Sequence, residues 1–296
     1  KNIGRFKFSS FHGNILPNEE DTSSYGMIFN KSKYLVGHRY EGYLNKKLYL
    51  AFTEMLVYGD REPELTYFLP TIFLWSVQRN LTSKSEDNIL WFLEGELLLY
   101  DGLSCYGTFM IDELSVSKIF NNFIGNRWAA QFGIHATRYI FSYPIDFKVE
   151  WTGVRPWAYT HRVPKFGSYS HQGRPLGFAY GPNSQLLLIS NRFYLNSRTK
   201  FNFSYKLLKV GSKPLSDKDD GLDFGNNINH NYLNANFIKY GNNTYWLIGD
   251  IEVTHEVDIL LEYDYSSVIR MEFNYIHNFN QDTRSNSVGI KLIFDY

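Results

Sequence analysis

The end of the chain alternates between apolar and polar residues with a period of two. The apolar set is Val288, Ile290, Leu292, Phe294 and Tyr296, and the opposite set is Gly289, Lys291 and Asp295, with Ile293 as an apolar exception. Successive side chains of a strand point to opposite faces of its sheet. The pattern therefore predicts a strand with one face toward lipid and one toward water, as in an outer-membrane β-barrel.

Three segments upstream repeat this alternation. They are Tyr245–Thr254, Val257–Tyr265 and Ile269–Tyr275, which are joined by short connectors. The positions opposite their apolar stripe carry charge, namely Glu252, Asp258, Glu262, Arg270 and Glu272. A soluble barrel fills its interior with apolar side chains, whereas a membrane barrel with a wet lumen has a polar interior. A half-solvated soluble sheet shows the same alternation, but this chain has no second set of apolar elements to cover its apolar face.

Further strands are predicted along most of the chain. The most regular segments are 91–99, 128–136, 147–152 and 201–207, and less regular ones are Tyr34–Leu44, Leu48–Tyr58, Tyr106–Asp112 and Leu187–Leu195. Together they give about 12 to 14 strands. No linker separates two halves, so residues 1–296 are expected to form one all-β domain, a transmembrane antiparallel β-barrel.

Two stretches break the period of two. In residues 62–81, Pro63 suits a first helical turn and the apolar positions follow no strand period, which predicts a helical or folded-in insertion. Residues 154–184 form a long connection rich in Gly, Pro, Tyr and His. Connections of this length are uncommon unless they have a function. We therefore expect helices and loops that plug the barrel from inside.

Composition narrows the possible functions. The 30 basic and 30 acidic side chains cancel, which argues against the basic footprint of a nucleic-acid-binding protein. Cys105 is the only cysteine, so neither a disulfide framework nor a thiolate metal site is expected. No segment reaches the ~18 apolar residues of a transmembrane helix. Aromatic residues make up 18% of the chain, which suits a membrane–water interface but is also typical of a large soluble all-β domain.

The long connection places aromatic rings beside arginine side chains. This combination suits sugars, because a ring can stack on a sugar face and a guanidinium can donate paired hydrogen bonds. The alternative is a structural loop folded into the lumen, and one loop can serve both roles. The candidates for polysaccharide binding or a lumen plug are Arg155, Trp157, Tyr159, His161, Arg162, Tyr169, His171 and Arg174. The candidates for the lumen wall are His38, Arg39, Glu94, Glu96 and Arg127.

No arrangement of residues points to catalysis. The eight histidines show no metal-ligand spacing, and no nucleophile is paired with a base. Two acidic clusters remain, Asp112-Glu113 and Asp217–Asp220, of which the second is interpreted as a solvated loop that can bind Ca²⁺ loosely. We expect no enzyme activity, no cofactor and no structural metal.

The long connection also resembles a known family. Its runs from Arg155 to His161 and from Tyr169 to Gly177, followed by Gly181-Pro182-Asn183, are similar to the signature block of the capsule-assembly Wzi family of outer-membrane proteins. Other similar pieces occur in the same order, namely His38-Arg39, Tyr58–Arg61, Glu64–Pro70 and Tyr106–Glu113. The similarity covers roughly Tyr34 to Leu188, and the C-terminal strands agree in pattern only.

The resemblance implies an 18-stranded barrel, closed inside by helices and loops, in the outer membrane of a Gram-negative bacterium. It implies that the protein helps to attach capsular or related polysaccharide to the cell surface, without catalysis or a cofactor. The expected partners are surface polysaccharide, outer-membrane lipid and lipopolysaccharide, and proteins of an envelope complex. A sugar-conducting porin and a structural subunit of a larger assembly are the alternatives.

The chain offers fewer strands than the barrel of that family. An incomplete barrel would leave an edge of unpaired backbone groups in lipid, where nothing can pair with them. We therefore expect that Lys1 is not the start of the barrel, or that another segment or chain completes the wall.

Overall fold

The structure of the chain is a computed structural model that describes residues 2–3, 6–17, 21–22, 28–29, 32–70, 72–80, 87–118, 123, 125–140, 142–212, 225–230 and 246–294. Most of these residues belong to one antiparallel sheet of 13 strands, in which each inner strand pairs with the strands before and after it and the two edge strands have one partner each. In chain order the strands are β1 (Asn2–Ile3), β2 (Phe6–Ile15), β3 (Lys33–Tyr43), β4 (Leu48–Gly59), β5 (Asn88–Tyr100), β6 (Leu103–Glu113), β7 (Arg127–Ile140), β8 (Tyr143–Val154), β9 (Ser184–Tyr194), β10 (Thr199–Ser212), β11 (Asp250–Asp264), β12 (Ile269–Phe279) and β13 (Arg284–Phe294). The predicted all-β fold is confirmed.

The strand connections distinguish two rims of the sheet. At the short-turn rim, hairpins close over residues 44–47, 101–102, 195–198 and 265–268. At the long-loop rim, the connections run over residues 16–32, 60–87, 114–126, 155–183 and 213–249. Short turns at one end and long loops at the other are typical of outer-membrane barrels, whose long loops face the cell exterior.

The two faces of the sheet differ as the alternation predicts. On the apolar face, Ile290, Phe273, Leu261 and Phe201 lie in register across β13, β12, β11 and β10. Ile290 is 79% exposed, so this face presents its side chains outward and not to a protein core. The polar face carries ion pairs between neighbouring strands. A sheet of this kind needs an apolar environment on one side and water on the other.

Two strand assignments differ from the prediction. Tyr245–Thr254 and Val257–Tyr265, predicted as separate strands, contribute to the single strand β11, which starts at Asp250; Tyr245 itself lies outside the described residues. The alternation runs on through His255, so nothing ends the strand there. Strand β2 was not predicted, because Ser, Gly and His residues interrupt its apolar pattern.

The odd number of strands decides how the sheet can close. With 13 antiparallel strands, β1 and β13 run in the same direction, so the two edges cannot join in an antiparallel seam. Among the described residues β1 pairs only with β2, and β13 pairs only with β12. These residues therefore form an open sheet, and not the closed 18-stranded barrel that the resemblance implies.

Residues 60–87, here called the outer insertion, link β4 to β5. They contain a 3₁₀-helix at Leu65–Phe68 and helix α1 at Leu74–Asn80, which confirms the helical interruption predicted in this region. The Glu64 carboxylate caps the first of these by accepting a hydrogen bond from the backbone N–H of Thr66 at 3.2 Å.

The outer insertion lies on the apolar face of the sheet. Leu56 of β4 packs with Tyr67 and Leu74 of the insertion, whereas Val57, the next residue of β4, packs on the opposite face. The Glu54 carboxylate, on the Leu56 side, accepts a hydrogen bond from the backbone N–H of Leu74 at 3.1 Å. The expectation that this segment folds inside the barrel is therefore wrong, because its apolar side chains find their partners on the apolar face.

Aromatic side chains mark two levels of the sheet. Exposed tyrosines of the apolar face lie at the short-turn rim, namely Tyr100, Tyr143 and Tyr265. Tyr43 and Tyr139 are exposed at the same rim on the polar face. Nearer the long-loop rim, Trp246 packs between Trp128 and Trp151, with ring centroids 4.3 and 5.0 Å apart. Along β8, the distance from Tyr143 to Trp151 projects to about 20 Å for a strand tilted by about 40°. We call these levels the tyrosine belt and the tryptophan belt.

Among the described residues, no helix is both long enough and apolar enough to cross a membrane.

Candidate functional site

Residues 155–183, here called the rim connection, link β8 to β9 and lie against the polar face at the long-loop rim. They contain the short helix α2 (Pro164–Gly167) and a small ladder that pairs Ser170–His171 with Arg174–Pro175. A hydrophobic cluster joins the connection to the sheet. It contains Ala158, Tyr159 and Tyr169 of the connection and Val57, Leu90, Met110, Ala129 and Val154 of strands β4 to β8.

Buried polar bonds attach the rim connection to the ends of separate strands. The Lys33 ammonium, at the start of β3, donates to the carbonyl and the hydroxyl of Ser170 at 2.9 and 3.0 Å. The Asn88 amide, at the start of β5, donates to the Gly167 carbonyl at 2.9 Å. A buried polar group that loses its partner costs about 1–3 kcal/mol. Each bond therefore resists lifting of the connection from the sheet.

Asn183 fixes the C-terminal end of the rim connection. Its side-chain amide donates to the carbonyls of Gly211 and Ile248 at 3.1 and 2.9 Å. Its side-chain oxygen accepts a hydrogen bond from the Ile248 backbone N–H at 3.0 Å. One buried side chain thus ties the start of β9 to the end of β10 and to the segment before β11.

Arg127 is a buried cation next to the rim connection. Its guanidinium donates to the Thr160 carbonyl at 3.0 Å and forms an ion pair with Glu113. Arg127 begins β7 and Glu113 ends β6, so the pair lies at the long-loop rim. The predicted lumen-wall residue therefore lies where the wall meets the connection.

The start of the rim connection has an unusual backbone. Trp157 and Tyr159 have φ values of +67° and +70°, in the left-handed region that bulky residues rarely adopt. The Trp157 N–H donates to the Gly225 carbonyl at 2.9 Å, and the Tyr159 N–H donates to the Asp112 carboxylate at 2.8 Å. Backbone in such regions costs about 1–3 kcal/mol per residue and persists only where its surroundings impose it.

Several predicted polysaccharide-binding side chains are buried inside the rim connection. Trp157 is 1% exposed, and Arg155, Tyr159, His161 and Tyr169 are buried as well. The rings of Tyr159 and Tyr169 pack with centroids 5.7 Å apart. In this arrangement these side chains hold the connection together, and their ring faces are not open to a sugar.

The other three candidates lie nearer the surface. Arg162 and Arg174 are exposed. His171 accepts a hydrogen bond from the Leu16 backbone N–H on its Nδ1 atom at 3.0 Å, which links the connection to the end of β2. The structure therefore separates the eight candidates into a buried structural group and an accessible arginine pair.

Burial also determines the ionisation of the rim connection. Burial, with smaller contributions from the charges of Arg127 and Arg162, lowers the pKa of His161 to about 4. Burial raises the pKa of Tyr169 to about 12. Both side chains are therefore neutral at pH 7.

An accessible aromatic group was missed by the sequence analysis. Tyr180 is 43% exposed, and its ring centroid lies 5.4 Å from that of Phe178. Lys206, on the polar face of β10, lies within electrostatic range of Tyr180 and forms a 2.6 Å ion pair with Glu256 of β11. We call these four residues the Tyr180 cluster. Only the fold brings them together, since they come from three separate segments.

Charged side chains of the polar face neutralise one another across strands. Arg39 donates to Glu41 at 2.8 Å, to Thr53 at 3.0 Å and to Tyr49 at 3.1 Å, and it also pairs with Glu94. The predicted wall positions Arg39 and Glu94 are therefore brought together on the polar face. Glu96 lies on the same face and is exposed.

His38 does not line the polar face. It precedes Arg39 in β3, so its side chain points to the opposite side of the sheet. There it is 1% exposed, contacts the Phe8 ring with centroids 5.6 Å apart, and hydrogen-bonds the backbone of Ile72 in the outer insertion. Its assignment to the lumen wall is wrong, because strand alternation cannot place two consecutive residues on one face.

The described residues contain no group of three or more His, Cys, Asp and Glu side chains that could hold a metal ion. Asp112 accepts the Tyr159 N–H and Glu113 pairs with Arg127, so this acidic pair supports the rim connection. The acidic cluster at residues 217–220 lies outside the described residues.

Comparisons with known proteins relate the chain to others by fold. No protein-family model and no curated protein sequence matches it. Among solved structures it is similar to Wzi of Escherichia coli, an outer membrane protein involved in group 1 capsule assembly and described as a carbohydrate-binding β-barrel. That alignment has a TM-score of 0.59 and 14% identity, and covers 96% of this chain and 55% of Wzi.

Two further similar structures have lower scores. The NanC porin aligns with a TM-score of 0.33 and 7% identity over 99% of this chain and 100% of the porin. An outer membrane channel from Pseudomonas putida F1 aligns with a TM-score of 0.33 and 10% identity over 99% and 94% of the two chains. The chain spans just over half the length of Wzi, and the likeness to Wzi shows that it has the all-β antiparallel fold of an outer-membrane β-barrel protein.

Proposed function

We propose that this chain forms the wall of an outer-membrane β-barrel of a Gram-negative bacterium, and that it binds or anchors capsular or other surface polysaccharide without catalysing a reaction. The rim connection is the observation that carries this proposal. Buried polar bonds attach it to β3, β5, β7 and β10 across the polar face, and an exposed bond links it to Leu16, directly after β2. A segment held in this way occludes a lumen and offers a binding surface.

Membrane insertion follows from the two faces and the two belts. The apolar face contacts lipid, and the tyrosine and tryptophan belts lie at the two membrane–water interfaces. Their separation of about 20 Å along the normal is close to the apolar band of about 25 Å in known barrels. The polar face then lines the lumen, with the long-loop rim toward the cell exterior.

Closure of the proposed barrel requires a partner for the edge of β13. Unpaired backbone groups are not tolerated in hydrocarbon, since no water is present to bind them. Further strands that bring the wall to the 18 strands implied by the resemblance are one solution. A second protein of an envelope complex is the other, and in that case the chain is a structural subunit.

The accessible groups near the rim connection suit a polysaccharide. In the Tyr180 cluster, the Tyr180 ring can stack on the apolar face of a sugar. Lys206 and Glu256 beside it can donate to and accept from sugar hydroxyls. Arg162 and Arg174 add planar donors that match sugar carboxylates. An acidic capsular polysaccharide is the ligand that uses all of these groups.

A binding assay with matched tyrosine variants tests the proposal. Purified chain is titrated with capsular polysaccharide from the source cell, and Tyr180→Ala is expected to bind about tenfold more weakly, equivalent to a loss of about 1.4 kcal/mol. Tyr139→Ala removes a still more accessible ring, at the short-turn rim, which is 76% exposed against 43% for Tyr180, and is expected to bind like the parent. Equal affinities of the two variants, or absence of binding by the parent, would refute the proposed site.

A solute-conducting porin is the alternative function, and the charged, partly exposed wall around Arg39 and Glu94 favours it. Planar-bilayer recordings distinguish the two functions. We expect no steady conductance from the parent chain, because the rim connection crosses the lumen. A steady open channel would favour the porin.

A further inference from the structure

An apolar groove of about 1630 Å³ lies on the apolar face over β2 to β8. Its walls include Phe52, Phe109 and Phe132 of the sheet, and Phe73 of the outer insertion borders it toward the long-loop rim. Its other end reaches Leu44 and Leu48 at the short-turn rim. The groove therefore extends along the strands between the tyrosine belt and the level of the outer insertion.

Two glycines form the floor of the groove. Gly95 of β5 and Gly107 of β6 are directly paired in register, and both line the groove. A Cβ atom on Gly95 would meet the end of the Leu50 side chain at 3.2 Å and, at an ordinary contact distance of 3.9 Å, the Tyr49 carbonyl. A Cβ atom on Gly107 would meet the Phe132 ring at 2.9 Å. Glycine inside a strand often marks a close approach by a ligand or another backbone.

Cationic side chains lie at the short-turn rim beside the end of the groove, outside its lining. Lys46 and Lys47 lie in the turn between Leu44 and Leu48, and both are exposed. Arg138 lies at the same rim, with its guanidinium 5.2 Å from the centroid of the Tyr100 ring. The groove is therefore an apolar channel at the depth of the acyl chains of membrane lipids, with cations beside it at the level of the lipid head groups.

We infer that this groove binds one glycerophospholipid from the leaflet at the short-turn rim. The acyl chains lie over Gly95 and Gly107, and the phosphate lies between Lys46, Lys47 and Arg138. The groove exceeds the range of about 300–1,000 Å³ of small-molecule pockets, which suits a molecule with two long chains. This inference rests on the proposed membrane insertion of the chain.

Native mass spectrometry of the purified full chain with dioleoyl-phosphatidylglycerol tests the inference. The parent is expected to retain one lipid after detergent removal. Gly95→Leu fills the floor with a side chain that Leu50 can accommodate, and retention is expected to fall by about tenfold, as for the loss of two methylene contacts. Gly289→Leu is the matched control, because nothing lies within 4 Å of a Cβ there and Gly289 is on the polar face.

The charged end of the groove has its own test. Lys46→Glu with Lys47→Glu is expected to weaken retention of phosphatidylglycerol by about thirtyfold, since each basic residue near a lipid surface contributes about 1 kcal/mol. Equal retention by the parent and Gly95→Leu, or saturation by lipopolysaccharide in place of phosphatidylglycerol, would overturn the inference. Flotation with liposomes is measured for every variant. A parent that does not float refutes the proposed insertion, whereas one that floats without retaining lipid refutes the lipid site alone.

Discussion

The outer insertion and the rim connection lie against opposite faces of the same strands, and they differ in the side chains that they expose. The rim connection, on the polar face, buries most of its aromatic rings, with Tyr180 exposed, and it is attached by buried hydrogen bonds as well as by a hydrophobic cluster. The outer insertion, on the apolar face, exposes large apolar side chains and buries polar ones. Its exposed set is Leu65, Phe68, Leu69, Phe73 and Trp75.

The polar groups of the outer insertion show how this inverted arrangement is stabilised. The Asp87 carboxylate accepts two hydrogen bonds from Arg61, both of 2.7 Å, and one from the Tyr67 hydroxyl at 2.5 Å. Polar groups next to an apolar medium must be satisfied within the protein. Each segment therefore turns toward its own surroundings the side chains that those surroundings solvate.

Loss of the Asn183 side chain should have the largest effect on stability, because this residue anchors the rim connection. Asn183→Ala removes three hydrogen bonds and places alanine at a φ of +56°. With each bond worth about 1 kcal/mol and a further penalty for the left-handed backbone, we expect about 3–4 kcal/mol of destabilisation in urea unfolding.

Asn191→Ala on the same strand is the matched control for Asn183→Ala. Within the described residues the side-chain oxygen of Asn191 has no hydrogen-bond partner, so we expect a change below about 1 kcal/mol. Similar losses for both variants would mean that Asn183 does not anchor the rim connection.

Acidification should loosen the rim connection selectively. The pKa of His161 in the fold, about 4, is below the ordinary value of 6.5, so the unfolded connection takes up a proton first as the pH falls. The stabilisation is complete above about pH 6.5 and is lost progressively down to about pH 4, by on the order of 3 kcal/mol.

Hydrogen exchange of residues 155–183 between pH 7 and pH 4 measures this effect. His161→Phe is expected to remove the His161 contribution, so that exchange depends less steeply on pH, and His230→Asn, an exposed position, is expected to keep the full dependence. The outer insertion should show no matching change. If hydrogen exchange became faster in both the rim connection and the outer insertion as the pH falls, the two segments would not be stabilised independently.

Glu54 should affect only the outer insertion. Glu54→Ala removes the acceptor of the Leu74 N–H at 3.1 Å and of the Trp91 indole N–H at 3.3 Å. We expect a destabilisation of about 2 kcal/mol and faster proteolysis within residues 60–87. Glu96→Ala, at an exposed position of the polar face, serves as control. Faster cleavage of the rim connection in Glu54→Ala would contradict the claim that Glu54 stabilises only the outer insertion.

The strands of the wall could be predicted because their signal is local. Ile290, Phe273 and Leu261 were assigned to an apolar stripe from spacing alone, and the sheet places them in one row. The errors arose where local spacing was read incompletely. His255 was taken as a break although it keeps the alternation, and His38 was assigned to the face of its neighbour Arg39.

The candidate site was predicted less well, because burial depends on contacts between distant segments. The run around Trp157 was recognised as a special connection, but its rings proved to be inside the connection and not on its surface. Tyr180 and Lys206 were not singled out. Their proximity depends on the return of the chain through β9 and β10, which no short motif records.

The sequence by itself determined the alternating strands, the two unlike faces of the sheet and the positions of the two long interruptions. These features follow from side-chain direction along a strand, which is a property of consecutive residues. Only the tertiary structure decided which face each interruption covers, which rings are buried and which charges pair. Those outcomes depend on the solvation of groups far apart in the chain. Buried hydrogen bonds and a hydrophobic cluster hold the rim connection on the polar face, whereas the outer insertion is held on the apolar face mainly by hydrophobic contact.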